Sequence, residues 1–374
     1  MNLLDIIYVR YYKEDGSSLN IGGIESYITQ LAKLASSLEI KARVFQYGSH
    51  DFFKQTDSAD VYAYHKSENK DGDFLLKKAT QMHNPDDKWI TIIANDTLIP
   101  NYHVPNSIVI QHGIGFDSCF GKKEPLLINF IKRSYRAYPI IKRIQNVDNV
   151  VCVDNNYINW YRTQTSFRDV NLIPILNFTE IGPKEEKESD GPIKIVFARR
   201  FVQIRGTRLF APVAKKLLST YDNIEITFAG EGPDEEYLKS TIGNDERINF
   251  CAYKPDDSIS FHRQFDVAVV PTIYSEGTSL SLLEAMSAQC AVVCTNVGGM
   301  TNVILDEFNG LMVSPDEAEL FSAIARLITD PKVRNSLSKN AYETVISSFS
   351  INKWQKSWTK LIMKCFDADN ICQK

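Results

Sequence analysis

The stretch Asp266-Val267-Ala268-Val269-Val270-Pro271-Thr272-Ile273-Tyr274-Ser275-Glu276-Gly277-Thr278-Ser279-Leu280-Ser281-Leu282-Leu283-Glu284-Ala285-Met286 holds one complete strand-turn-helix unit. Val267–Val270 is a short, continuously apolar run, the pattern of a strand covered on both faces. The Gly-Thr-Ser turn then opens a helix, whose first backbone N–H groups form a ready site for phosphate. Glu276 lies just before that anion site, and Glu284 about one and a half turns into the helix. A carboxylate offers two acceptor oxygens, which suits a vicinal diol. A ligand with hydroxyls at both ends and phosphates between them is a nucleotide-sugar. The same residues also fit a plain capped helix with solvated acids, so the turn alone does not decide the chemistry.

Working outward, strand runs and helical patterns alternate along the whole chain, the signature of parallel α/β architecture. Upstream, strands are expected at Ile6–Val9, Ala42–Phe45, Val61–Tyr64, Trp89–Ile93, Ile108–Gln111 and Val150–Val153, with an amphipathic helix over Ile24–Leu38. The stretch Gly182–Pro192 has almost nothing to bury and reads as a linker. A second cycle follows, with strands Ile193–Phe197, Glu225–Ala229, Ile248–Cys251, Val267–Val270 and Ala291–Cys294. Its helices fall near 208–219, 233–241, 258–264, 279–288, 317–328 and 332–347.

The expected fold class is therefore α/β: two Rossmann-like, doubly wound domains facing a cleft, with ligands at the carboxyl ends of the strands. The expected division is a domain over 1–181, a linker over 182–192, a second domain over 193–349 and a C-terminal helix over 350–374 that crosses back.

The 374 residues suit two domains, and 44% hydrophobic content can fill two cores. No stretch has the roughly 18 apolar residues of a membrane span. The start, Met1-Asn2-Leu3-Leu4-Asp5, reads as a first strand and not as an export signal. Seven scattered cysteines without a C-x-x-C pair point to reduced thiols and a cytoplasmic protein. A net charge of −4 argues against a nucleic-acid partner.

The run from Phe265 to Pro315 resembles the retaining, GT-B-fold glycosyltransferases of family four and their E-x7-E motif. The matching pieces are Asp266–Pro271, Glu276-Gly277 through Leu283-Glu284-Ala285-Met286, Val297-Gly298-Gly299-Met300 and Asn309-Gly310-Leu311-Met312-Val313. The resemblance implies that Glu276 holds hydroxyls of the donor sugar and Glu284 the ribose. It also implies that Gly277, Thr278, Ser279 and Leu280 face the sugar and diphosphate.

Further matches follow from the same family. Phe197-Ala198-Arg199-Arg200-Phe201-Val202-Gln203-Ile204-Arg205-Gly206 is similar to its G-R-L-x-x-x-K-G. Counting back from Gly206, Arg200 and Arg205 take the places of the Arg and Lys that clamp the diphosphate, and Arg199 stands where glycine is usual. Such cations offset leaving-group charge. Ala229-Gly230-Glu231-Gly232-Pro233 lacks the third glycine of a dinucleotide fingerprint, since Glu235 stands there, so a nicotinamide site is not expected. Tyr253 and Lys254 fall where similar enzymes contact the nucleobase. Gly22 and Gly23 match a Gly-rich loop that touches diphosphate and acceptor, and His112 a histidine near the transferred sugar.

The resemblance implies transfer of a hexosyl unit with retained configuration, from a nucleotide-sugar, UDP-linked by family frequency, to a saccharide or lipid-linked saccharide in polysaccharide synthesis. No metal or other cofactor is expected. Asp367-Ala368-Asp369 spells the D-x-D of metal-dependent transferases but follows no strand. A sugar-nucleotide 2-epimerase of similar fold and a non-catalytic nucleotide-sugar-binding subunit are the alternatives.

One local feature stands apart. Between Lys122 and Arg143, seven cations against Glu124 alone leave six net positive charges, interleaved with Leu126, Leu127, Ile128, Phe130, Ile131, Tyr135 and Tyr138. Pro125 suits a helix start, and Pro139 a kink or an end. A basic amphipathic helix of this kind fits an anionic membrane surface as a peripheral element, and equally a domain helix packed on its sheet.

Overall fold

A computed structural model describes the chain except residues 21, 66–70, 115–124, 165–169, 185–190, 275 and 373–374, and except the side chains of 368–372. Its described residues fall into two compact units. The first holds Met1–His112, 125–175 and the chain from Gln355 onward; the second holds Gly113, Ile114 and the described residues of Leu176–Trp354.

In the first unit the order is β1 (Asn2–Ile7), α1 (Gly23–Ser37), β2 (Lys41–Gly48), β3 (Phe52–Gln55), β4 (Asp60–His65), α2 (Gly72–Thr80), β5 (Lys88–Ile93), β6 (Val104–Gln111), α3 (Leu126–Arg143), β7 (Val147–Cys152), α4 (Asn155–Gln164) and β8 (Asn171–Pro174). The sheet runs β3-β4-β2-β1-β5-β6-β7-β8. It is parallel except for the edge strand β3, which pairs antiparallel with β4. Parallel strands need coverage on both faces, which explains why Leu4, Ile6 and Ile7 of β1 are all fully buried.

The second unit contains β9 (Ile193–Ala198), α5 (Thr207–Thr220), β10 (Ile224–Ala229), α6 (Glu235–Ile242), β11 (Ile248–Cys251), α7 (Ser258–His262), β12 (Val267–Val270), α8 (Leu280–Ser287), β13 (Ala291–Thr295), β14 (Leu311–Val313), α9 (Glu317–Thr329) and α10 (Pro331–Ser348). Its sheet is parallel in the order β11-β10-β9-β12-β13-β14. Side chains alternate across it as the pleat requires. Ile195, Phe197, Val267, Val269 and Val293 enter one core with Phe210 and Leu217 of α5 and Leu320 and Ile324 of α9. Val196, Ala268, Val270 and Val292 enter the other with Leu282 and Leu283 of α8 and Ala341 and Val345 of α10. The sheet thus carries two cores, and the carboxyl ends of its strands are left to the loops.

α11 (Ile351–Cys372) closes the chain. Its residues from Gln355 belong to the first unit, where the Trp358 indole donates to the Tyr27 hydroxyl at 2.8 Å. The second unit starts at Leu176, before the boundary expected at 181. Asn177 and Gly182 explain the difference. The Asn177 amide donates to the Thr278 carbonyl at 2.6 Å, and Gly182 is bonded by Ser287 and Tyr342. Residues 182–184 of the expected linker are therefore attached to the second unit, and 185–190 lie outside the described residues.

Candidate active site

Two loops at the carboxyl ends of β9 and β12 bring the charged residues of the second unit together. Gly206 fixes the first. Its φ of +87° is one that side chains rarely adopt, and a Cβ there would overlap the Pro271 carbonyl. The loop from Arg199 to Arg205 is thereby held against Pro271–Ile273, and Ile273 N–H donates to the Ile204 carbonyl at 3.2 Å. The second loop is cradled by Gly298 and Gly299. Gly298 has φ +57° with its α-carbon on the Glu276 backbone, and Gly299 N–H donates to the Glu276 carbonyl at 2.7 Å.

Glu276 is the centre of this arrangement. One terminal nitrogen of Arg199 donates to its Oε1 at 2.6 Å and its Oε2 at 2.8 Å. Arg205 reaches Oε2 at 2.8 Å, and so does the Thr272 hydroxyl. Arg199 also donates from its other terminal nitrogen to Thr272, and weakly from the first to the Ser279 hydroxyl at 3.5 Å. Burial alone would push the Glu276 carboxyl up; the charges of Arg199 and Arg205 with the hydrogen bonds from Arg199 and Thr272 reverse this and bring it down to about 2. Glu276 is therefore ionised at any working pH.

Thr278 and Ser279 are both buried, and Ser279 stands at the N-cap of α8 without making a capping hydrogen bond. Its hydroxyl turns instead to Arg199 and to the Ser281 hydroxyl at 3.2 Å. Leu280 begins the helix, so no side-chain cap from Ser279 competes with an anion at the α8 N-terminus. Gly277 lies beneath Gly113, whose Cβ would come to 2.9 Å from the Gly277 nitrogen.

Glu284 sits further along α8. Burial raises its carboxyl, against a hydrogen bond with Ser258 and the charge of Arg199. The Tyr253 phenol is likewise raised by burial and then by Glu284, and it too shares a hydrogen bond with Ser258. Tyr253 stacks on Phe261 with ring centroids 4.4 Å apart, while Lys254 is exposed.

Arg200, expected as the phosphate clamp, is exposed, and it is Arg199 that turns inward to Glu276. Leaving a strand, neighbouring side chains point to opposite sides, which places Arg199 against Glu276 and leaves Arg200 exposed. Arg200 still lies close enough for its charge to act on Arg205. Thr272, Ser258 and Asn177 were invisible to sequence reasoning, being ordinary polar residues. Arg199 did carry a signal, as the departure from a glycine position.

The first unit presents its own loop residues. The His112 Nε2 donates to the Ala94 carbonyl at 2.9 Å, which fixes the tautomer, and burial lowers the imidazole to about 4. The ring is neutral at physiological pH. Gly22 is the N-cap of α1 and Gly23 its first residue. A side chain on Gly22 would collide with the Glu25 carboxylate, which accepts from the Tyr8 hydroxyl at 2.9 Å.

Asp367 lies exposed on α11, and among the described residues no three His, Cys, Asp or Glu side chains converge in a metal-binding group.

Residues 178–344 match the family model of the glycosyl transferases group 1. An uncharacterized glycosyltransferase of Methanocaldococcus jannaschii is 27% identical over 161 residues, 42% of this chain and 41% of that one. The UDP-Gal:alpha-D-GlcNAc-diphosphoundecaprenol alpha-1,3-galactosyltransferase of Escherichia coli is 22% identical over 261 residues, 67% of each chain. Alpha-D-kanosaminyltransferase of Streptomyces kanamyceticus is 26% identical over 168 residues, 44% of this chain and 43% of that one. The chain thus spans less than half of two of these relatives.

Among solved structures, sucrose-phosphate synthase from Thermosynechococcus elongatus superposes with a TM-score of 0.78 at 16% identity, covering 98% of this chain and 100% of that one. A trehalose-6-phosphate synthase does so at 0.72 and 14%, covering 97% and 99%. These establish the fold, with two Rossmann-like domains of the GT-B kind. Residues 178–344 thus resemble the glycosyl transferases group 1, and the fold of the chain is the two-domain GT-B fold.

Proposed function

We propose that the protein transfers a hexosyl unit from a nucleotide-sugar, most simply a UDP-sugar, to a hydroxyl of a saccharide or lipid-linked saccharide, with retention of configuration. The observation that carries the reading is the Glu276 cluster. An ionised carboxylate, two guanidinium groups and an uncapped helix N-terminus lie together on the strand-end side of a Rossmann-like sheet. Glu276 is placed to accept from sugar hydroxyls, Arg205 to meet the diphosphate, and Glu284 to take the ribose. Charge on the diphosphate grows as the glycosidic bond breaks, and preorganised cations stabilise it most at that point. With the Arg205 guanidinium at the diphosphate, the reaction needs no metal. The neutral His112 is assigned to the transferred sugar, and Gly22 and Gly23 to the diphosphate and acceptor side. The family relative from Escherichia coli, whose name gives a UDP-sugar donor and a diphosphoundecaprenol-linked acceptor, supports this choice of substrates. Incubation with labelled nucleotide-sugars tests it: label should move to an acceptor only when membrane extract is added. Conversion of the sugar without extract would instead identify an epimerase.

A lipid-linked acceptor also fits α3. Leu126 is 87% exposed, Phe130 63% and Tyr135 81%, while Ala137 and Ile140 near the C-terminal end are the buried residues. The helix runs through Pro139 to Arg143, and its buried residues lie towards that end. No helix of the described residues is long and apolar enough to cross a membrane. Exposed apolar side chains beside Lys132, Arg133 and Arg136 fit the surface of an anionic bilayer. Each cation near such a surface contributes about 1 kcal/mol, screened by salt within roughly 8 Å. The protein should sediment with vesicles containing anionic lipid, be released by high salt and ignore neutral vesicles. Changing Lys132, Arg133 and Arg136 to Glu should abolish sedimentation in a variant whose melting curve shows it folded; undiminished sedimentation would remove α3 from the membrane.

A further inference from the structure

The Glu276 carboxylate is over-subscribed on one side. Among the described residues its Oε2 receives Arg199, Arg205 and Thr272, three donors for two lone pairs, while Oε1 receives Arg199. The donors are not equally held. The Arg199 side chain is 5% exposed and is also tied to Thr272 and Ser279, whereas Arg205 is 32% exposed and has only its pairing with Glu276 among the hydrogen bonds described above. Arg199 is thus the inner of two counter-ions of Glu276 and Arg205 the outer.

We infer that Arg199 is a positioning residue of the donor site, which holds Glu276 permanently and so releases Arg205, its second counter-ion, to an incoming nucleoside diphosphate. The inference rests on the proposed donor-binding role of the cluster. Arg199 faces inward from the end of β9, and Arg205 comes from the following turn. When a diphosphate arrives, Arg205 exchanges one anion for another, and the buried carboxylate keeps a guanidinium partner throughout. Without Arg199 the exchange would strand Glu276, buried and ionised, with the Thr272 hydroxyl as its remaining partner in the cluster. A carboxylate in that position holds its last cation and competes with the ligand for it. Arg205 leaving Oε2 also opens an acceptor site for a sugar hydroxyl at the moment the diphosphate binds, so the two ends of the donor are recognised together.

The test is a double-mutant cycle read by calorimetric titration with UDP, GDP, dTDP and ADP, all without a hexosyl unit. Arg199→Ala should weaken the nucleoside diphosphate that binds the parent by about tenfold or more. Neutralising Glu276 in that background, Arg199→Ala with Glu276→Gln, should restore the affinity, because nothing then retains Arg205. If the double variant stays as weak as Arg199→Ala, Arg199 acts on the phosphates by its own charge and the handover is wrong. Unchanged affinity in Arg199→Ala likewise overturns it. If Arg199→Ala does not fold, Arg199→Gln, whose amide still donates to Thr272 or Glu276, carries the same comparison. A parent that binds none of the four diphosphates sinks the proposed function itself, and this outcome is distinct from the others.

Discussion

Glu276→Gln is expected to lower turnover by about 10²- to 10³-fold while leaving the affinity for free nucleoside diphosphate undiminished. The amide keeps the size of the carboxylate but loses the charge on which Arg199, Arg205 and Thr272 converge. It can no longer accept from a sugar hydroxyl with both oxygens, and the loss falls on the sugar end of the donor. Free nucleoside diphosphate lacks the transferred hexosyl unit, so its binding does not register the change. Glu276→Ala is a harsher substitution. It leaves the buried Arg199 guanidinium without its counter-ion, and breaking such a pair costs about 3–5 kcal/mol, so the melting temperature should fall as well. Steady-state rates with a saturating donor, set beside calorimetry with the free diphosphate, separate the two effects. Equal losses in both would show that Glu276 serves the diphosphate and not the sugar.

Glu284→Ala should do the reverse, weakening free nucleoside diphosphate by about ten- to a hundredfold. A hydrogen bond from a ribose hydroxyl to an ionised carboxylate is worth about 1.5–3 kcal/mol. Glu284 lies on α8, eight residues beyond Glu276, where burial raises its carboxyl and Ser258 and Arg199 act against that rise. Removing it relieves a half-buried charge with no guanidinium bonded to it among the described residues, so stability should hold or improve even as affinity drops. Unchanged affinity would take Glu284 out of the ribose site. The opposite signs expected for the stability of Glu276→Ala and Glu284→Ala make the pair a check on the electrostatics as well as on the chemistry.

Much of this was legible in the sequence, for reasons that particular elements make plain. Val267–Val270 and Ile248–Cys251 appear as strands with the expected bounds, because short apolar runs between turn residues leave little freedom. β3 and β8 escaped notice: each has four residues, half of them polar or proline-adjacent, at the margins of the sheet. Edge strands lack the continuous apolar signal of central ones. The motif spacing located the charged loop after β9 but not the arginine that enters the site, since Arg199 and Arg200 are adjacent and chemically identical. Periodicity found the amphipathic character of α3 but could not tell a face packed on a sheet from one left in solvent. Burial of Ala137 and Ile140 and exposure of Leu126, Phe130 and Tyr135 decided that. The hydroxyls of Thr272 and Ser258, which fasten the two acids in place, have no sequence signature at all.

The claim that the second unit holds a nucleoside diphosphate between Arg205, the start of α8 and Glu284 is tested most directly by thermal unfolding with UDP, GDP, dTDP or ADP, in the presence of EDTA. A ligand that binds only the folded state raises the melting temperature, by about 2.7 kcal/mol of stabilisation at a hundredfold excess over its Kd. The account predicts a clear rise with at least one of the four, undiminished by EDTA and largely lost in Glu284→Ala. No rise with any of them, or a rise that appears only when manganese or magnesium is supplied, would contradict it.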